Sequence, residues 1–178
     1  IRDSTKSMRW NQSGVAFSRP IRWIVALLGD QVVPFEFAGV QSGRTSRGLR
    51  LWGSPDIELS DAEAYSEAMK AHSIMVDAEV RRENIVSQTA ELAASVGGYI
   101  PDDEALLQEV THLVEWPMAL LGLFDEEYLE LPQEVLIAVM KKHQRYFPVV
   151  KDGKLLPYFV AVANGPFENL DVIRHGNE

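Results

Sequence analysis

Seven side chains carry most of what this sequence could offer a polyanion: Arg44, Arg47 and Arg50, then Lys141, Lys142, His143 and Arg145. The three arginines recur at every third residue through a stretch rich in Gly, Ser and Thr. On an extended or looping backbone, their guanidinium forks can grip phosphates or carboxylates through paired N–H bonds. The second group crowds the last turn of an expected helix and is followed at once by Tyr146 and Phe147. Cations there compensate the helix dipole by about 0.3–1 kcal/mol each. Beside aromatic rings they could also hold the phosphates of a strand whose unpaired base stacks. Lys6, Arg9, Arg19 and Arg22 could extend the surface.

Other chemistries have less support. There is no cysteine, which excludes disulfides, zinc–thiolate sites and thiol nucleophiles. His72, His112, His143 and His175 are not spaced as metal ligands. The clusters Asp102-Asp103-Glu104 and Asp125-Glu126-Glu127 stand where helices could begin, and acids there suit the helix dipole. The glycines from Gly39 to Gly48 match neither a phosphate-binding P-loop nor a dinucleotide turn. Ser42, Thr45 and Ser46 have no base near them in sequence. Trp10, Trp23, Trp52 and Trp116 read as core or interface anchors. Glu115, set among apolar neighbours in Leu113-Val-Glu-Trp-Pro117, would need a partner such as an arginine.

These residues belong to a chain of 178 residues, 46% hydrophobic and 24% charged, which is enough to bury a core and too apolar to stay disordered. No apolar run approaches the roughly 18–20 residues of a membrane span. The net charge of −9 is unevenly spread: residues 1–52 hold eight basic and three acidic side chains, residues 53–139 three and nineteen, residues 140–178 six and four. A chain with basic ends and an acidic middle can still present phosphate with a local basic face. The first residues do not read as a signal peptide. The lack of an initial Met and the ending Gly-Asn-Glu suggest a piece of something longer.

The elements that must position the cations follow from periodicity and turn chemistry. A short strand is expected at 15–18, then a helix opened by Pro20 with Ile21, Ile24, Val25 and Leu28 on one side. Strands are expected at 31–37, 49–52 and 57–59, with 38–48 as a loop. Ser60 and Glu63 resemble a capping box for a helix over 61–72. A strand at 73–76 precedes a long helix at 78–96, capped by Asp77 and ended by Gly97-Gly98. A helix over 102–111, a strand at 112–116 stopped by Pro117, and a helix at 133–143 follow. Asp152-Gly153 between β-rich runs 146–150 and 155–163 marks a hairpin. The mixture lacks a regular βα alternation and predicts an α+β fold with a mixed, largely antiparallel sheet and packed helices.

Several ordered motifs resemble the beta subunit family of bacterial heterotetrameric glycyl-tRNA synthetases. They are Lys6-Ser-Met-Arg-Trp10, Arg19-Pro-Ile-Arg-Trp23 with Ile24-Val-Ala-Leu-Leu-Gly29, Gly43-Arg-Thr-Ser-Arg-Gly48, Leu113-Val-Glu-Trp-Pro117, Met140-Lys-Lys-His-Gln-Arg-Tyr-Phe-Pro148 and Leu156-Pro-Tyr-Phe-Val-Ala-Val-Ala-Asn164. The resemblance covers nearly the whole chain. It implies a fold similar in type to the editing-type domain of the phenylalanyl-tRNA synthetase beta subunit. Residues 1–165 would be one α+β domain, and 166–178 would begin a linker or helix.

The resemblance further implies a cytoplasmic α2β2 glycine–tRNA ligase using ATP and magnesium, with catalysis in the alpha subunit. This section would support tRNA(Gly) binding through the seven cations named above, with no cofactor, metal ligand or catalytic residue of its own. An architectural module without RNA contact and a vestigial editing-type hydrolase pocket are the alternatives. The last has little to reject, since glycine has no smaller amino-acid competitor.

Overall fold

The computed structural model describes residues 7–50 and 53–165. They fall into two compact units divided between Ile74 and Met75. Both contain strands and helices, mostly with antiparallel pairing, so the α+β expectation holds.

The first unit is built from short strands: β1 (Met8–Arg9), β2 (Ala16–Phe17), β3 (Ile24–Val25), β4 (Leu27–Leu28), β5 (Gln31–Val32), β6 (Glu36–Phe37), β7 (Val40–Gly43), β8 (Thr45–Arg47) and β9 (Asp56–Glu58). β7 lies between β3, which it pairs in parallel, and antiparallel β6. β1–β2, β4–β5 and β8–β9 are antiparallel pairs.

The helix expected after Pro20 is instead β3 and β4, joined to β5 by a turn at Gly29, whose φ is +58°. A lone helix of that length is marginal in water. The extended chain gains ladder bonds, with the Ala26 N–H donating to the Gly43 carbonyl at 3.1 Å. It also sets Val25 and Leu27 against the buried cluster Ile57, Leu59 and Met69. The expected 38–48 loop is largely β7 and β8, because strand formation is decided by the neighbours a segment finds. Pro34 falls in the break between β5 and β6. Leu49 and Arg50 are outside any strand, and the rest of the strand expected at 49–52 lies outside the described residues.

Helix α1 (Tyr65–Ala71) begins later than expected. Ser60 donates to the Asp61 carboxylate at 2.7 Å, and that carboxylate accepts from the Ala64 N–H at 2.8 Å. The acid therefore closes a turn before the helix, and the expected capping box does not form. Ser73, at φ +57°, turns the chain where a strand was expected.

The second unit is a three-layer arrangement. Helices α2 (Ala78–Ser95) and α3 (Glu104–Leu113) precede β10 (Pro117–Leu123), a 3-10 turn (Glu126–Glu130), α4 (Gln133–Val139), a π-helical turn (Met140–Gln144), β11 (Phe147–Lys151) and β12 (Lys154–Asn164). The sheet order is β10-β12-β11, antiparallel throughout. The hairpin forms as expected, with positive φ at Asp152 and Gly153 (50° and 76°), the primed-turn geometry that matches strand twist.

Alternation along β12 separates two cores. Val160 joins Ile85, Ala93, Leu106, Val110 and Val149, while Leu155, Phe159 and Ala161 join Met140 and Val150. Asp77 caps α2 by accepting from the Glu79 N–H at 2.8 Å, and Gly97, at φ +75°, ends it. A side chain at Gly98 would approach Val149 Cγ1 at 2.6 Å and the Val150 carbonyl at 2.9 Å, so this helix end can sit on the sheet only with glycine there.

The strand expected at 112–116 begins instead at Pro117, and α3 runs on to Leu113. Proline suits the first residue of a strand. Two amide side chains fix this start. Asn164 accepts from the N–H groups of Glu115 and Trp116 at 2.8 and 3.0 Å. Gln88 accepts from Ala119 N–H at 2.9 Å and donates to the Pro117 carbonyl at 3.2 Å. The Glu115 side chain is exposed, so the buried ion pair expected for it is not needed.

Candidate nucleic-acid interface

The seven cations divide between the units, Arg44, Arg47 and Arg50 in the first and Lys141, Lys142, His143 and Arg145 in the second. In the first unit, β8 carries Arg44 at its entry and Arg47 at its end. Arg44 is half-buried and donates to three backbone carbonyls, those of Leu59 and Ser60 at 3.1 Å each and Asp30 at 2.8 Å. It ties the turn after β4 to the exit of β9. Arg47 lies directly opposite Asp56 in the β8–β9 register and is ion-paired with it. Arg50 is exposed and has no side-chain partner among the described residues. Arg19 and Arg22 are exposed on the same unit, while Arg9 donates to the Gly14 carbonyl at 2.9 Å. Lys6 lies outside the described residues.

In the second unit, α4 passes into the π-helical turn, which holds Lys141, Lys142 and His143, and Arg145 closes it in the left-handed conformation at φ 57°. That conformation turns the chain sharply into β11. Lys141 is ion-paired with Asp103, the N-cap of α3, and Arg145 Nε donates to Glu109 Oε1 of α3 at 2.9 Å. Both pairs clamp the turn onto α3. Lys142 and His143 point away, exposed, with no side-chain partner among the described residues.

Of the aromatics expected to receive a base, Phe147 is in the core and Tyr146 is half-buried, packed against it. Tyr146 stacks on Phe159 with centroids 4.5 Å apart, and Phe147 is 4% exposed. Both faces of β11, which begins at Phe147, are covered, and one face of the Tyr146 ring is taken by Phe159. Burial pushes the Tyr146 hydroxyl above its ordinary pKa.

The Asp103 carboxyl is raised by burial, but the Lys141 ammonium and the N–H groups of Leu106 and Ala105 together outweigh this and hold it below 3.8. A carboxyl depressed in the folded state contributes stability that is complete above its unfolded value, about 3.9, and lost as pH falls through the folded value. Lys141→Met removes both the hydrogen bond and the charge that lower the carboxyl, and is expected to move the acid limb of a stability-against-pH curve upward. An acid limb that coincides with the parent's would show that the pair contributes nothing.

A cavity of about 380 Å³ in the first unit is lined by Trp23, Val25, Leu27, Ser46, Leu59 and Tyr65 among others. The Ser46 hydroxyl faces Met69 Sδ at 3.8 Å, and no base activates it among the described residues. His72 is bonded through Nδ1 to the Ala68 carbonyl at 2.8 Å. No group of three or more His, Asp or Glu side chains converges among the described residues. No described helix is long and apolar enough to cross a membrane.

Sequence reading located the cations but missed the division between paired and free ones. The pairing acids Glu109 and Asp103 are 36 and 38 positions away from their partners, so only the packing of α3 brings them near. Asp56 stands just before the strand expected at 57–59 and Arg47 in the expected loop 38–48, so their pairing also emerges only with β8 and β9.

Residues 3–178 match the family described as Glycyl-tRNA synthetase beta subunit. A glycine–tRNA ligase beta subunit of Clostridioides difficile strain 630 is 49% identical over 97% of this chain and 25% of its own length. The corresponding Bacillus subtilis strain 168 protein is 46% identical over 97% of the chain and 26% of its length. A chloroplastic/mitochondrial glycine–tRNA ligase of Arabidopsis thaliana is 51% identical over 97% of the chain and 16% of its length. The chain thus spans about a quarter of the bacterial relatives.

Proposed function

The chain belongs to the glycyl-tRNA synthetase beta subunit family, and on that premise we propose that it is a tRNA-facing section of a cytoplasmic glycine–tRNA ligase. It supports tRNA(Gly) binding while the alpha subunit of an α2β2 assembly attaches glycine. ATP and magnesium serve that alpha-subunit chemistry, and no step of it is routed through the residues described here. Residues 1–165 act as the working section and 166–178 lead towards the next part of the subunit.

The observation that carries the tRNA reading is the set of exposed basic side chains without acidic partners among the described residues: Arg19, Arg22 and Arg50 in the first unit, Lys142 and His143 in the second. Such side chains contact phosphate without first breaking an ion pair, and phosphate contacts supply affinity without reading sequence. Arg47, Lys141 and Arg145 must first leave Asp56, Asp103 and Glu109, so they contribute less.

The test is retention of tRNA by the chain across a salt series. Arg50→Glu with Lys142→Glu is expected to weaken binding roughly tenfold, on the order of 1.4 kcal/mol. The slope of log affinity against log salt should flatten by about 0.9 for each duplex phosphate that is no longer neutralised. Unchanged affinity and slope would reject the tRNA role of these residues. The self-pairing of Arg47, Lys141 and Arg145 favours a second reading, an architectural module without RNA contact, and a parent chain that never retains tRNA would establish it.

A further inference from the structure

The helix that leads into the basic turn is apolar on both of its sides. In α4, Leu136 and Ile137 pack into the cluster of Met140, Val150, Leu155 and Phe159. Val135 and Val139, one turn apart, are 52% and 49% exposed. Apolar side chains of a helix normally face an interior, yet Val135 and Val139 on the outer face of this one, beside Glu134, are bare among the described residues. The approach to it continues the pattern. Leu123, Tyr128 and Leu131 are 57%, 55% and 49% exposed, and the 3-10 turn buries no residue. Apolar groups gathered in this way on a surface mark an interaction site.

Charge narrows the occupant. Asp125, Glu126, Glu127, Glu130 and Glu134 accompany the apolar side chains, and no Lys or Arg occurs from Glu83 to Met140. This density of carboxylates repels a phosphate backbone, so RNA does not cover the face. A second copy of the same face would oppose carboxylate to carboxylate, a costly arrangement in an interface. What fits is a protein face with an apolar centre and a rim of Lys or Arg. The relatives are about four times as long as the matched region, which provides a source for such a face within one polypeptide.

We propose that residues 123–139 are the docking surface by which this section seats on another part of its own full-length subunit, through a partner face with apolar centre and basic rim. The inference is independent of the tRNA contacts, because its residues are none of the cations assigned to them.

The test is hydrogen–deuterium exchange over 123–139, compared between the 178-residue chain and the full-length subunit, both without the alpha subunit. Amides of 133–139 are expected to exchange at least tenfold more slowly in the full-length subunit. Val135→Asp with Val139→Asp should leave the melting of the short chain unchanged and abolish the slowing. Should that variant fail to fold at full length, Glu127→Lys with Glu130→Lys, both exposed, should reduce the slowing at least threefold. Equal exchange in the two proteins would overturn the proposal. So would slowing that requires added alpha subunit, or slowing in the short chain that grows with its concentration. The charge-neutral pair Val135→Asn with Val139→Asn should likewise abolish the slowing and leave tRNA retention at the parent's level, which keeps this result separate from the tRNA reading.

Discussion

Ile85→Ala is expected to cost about 2–5 kcal/mol of folding stability, the range for emptying a fully enclosed isoleucine. Ile85 is 0% exposed and lies among Ala93, Leu106, Val110, Val149 and Val160. It shares a stripe of α2 with the buried Thr89 and Ala93. The void cannot close easily, because α2 is fixed at both ends by the Asp77 cap and the Gly97-Gly98 turn. It is also pinned in the middle by the Gln88 bonds to β10. The chemical-denaturation midpoint, read with amide exchange at Val160, checks this. A midpoint within error of the parent's would mean that the helix–sheet contact is not the main core of the second unit.

Arg44→Met tests whether the first arginine cluster is a single functional surface. Hydrogen bonds to a charged group are worth about 1.5–3 kcal/mol each when removed singly, but two of the three bonds made by Arg44 are exposed to water. A loss of about 2–3 kcal/mol is therefore expected, confined to the first unit, because three carbonyls are deprived of their donor together. Exchange should accelerate at Leu59, whose N–H donates to the Arg44 carbonyl at 3.1 Å. The salt dependence of tRNA retention should keep the parent's slope, since this guanidinium is committed to the backbone. A flattened slope with unchanged stability would reverse the assignment and place Arg44 among the phosphate contacts.

The contrast between Arg44 and Lys142 shows how far residue type and spacing lead. Both are cations within basic clusters, and in sequence nothing separates them. One is spent on the carbonyls of Asp30, Leu59 and Ser60, the other faces solvent. Elements whose signal is local were legible. Asp77 and Gly97-Gly98 bound a long helix, and Asp152-Gly153 sets a two-residue hairpin, because caps and turns act over a few residues. The stretches 20–29 and 38–48 were misread because their strands are two to four residues long. Such pieces hold only through partners that lie elsewhere in the chain, as β3 does through β7.

By itself the sequence determined the α+β class, the helix 78–96, the terminal hairpin, the family and the positions of the cations. All of these rest on side-chain chemistry within a turn or two, or on motifs kept in order along the chain. The tertiary structure alone decided which of the described cations are free, that Phe147 is core with Tyr146 packed against it, and that α4 shows an apolar face to solvent. Each of those depends on what distant segments place beside a residue. Coulomb attraction and burial act through space, and spacing along the chain does not record that distance.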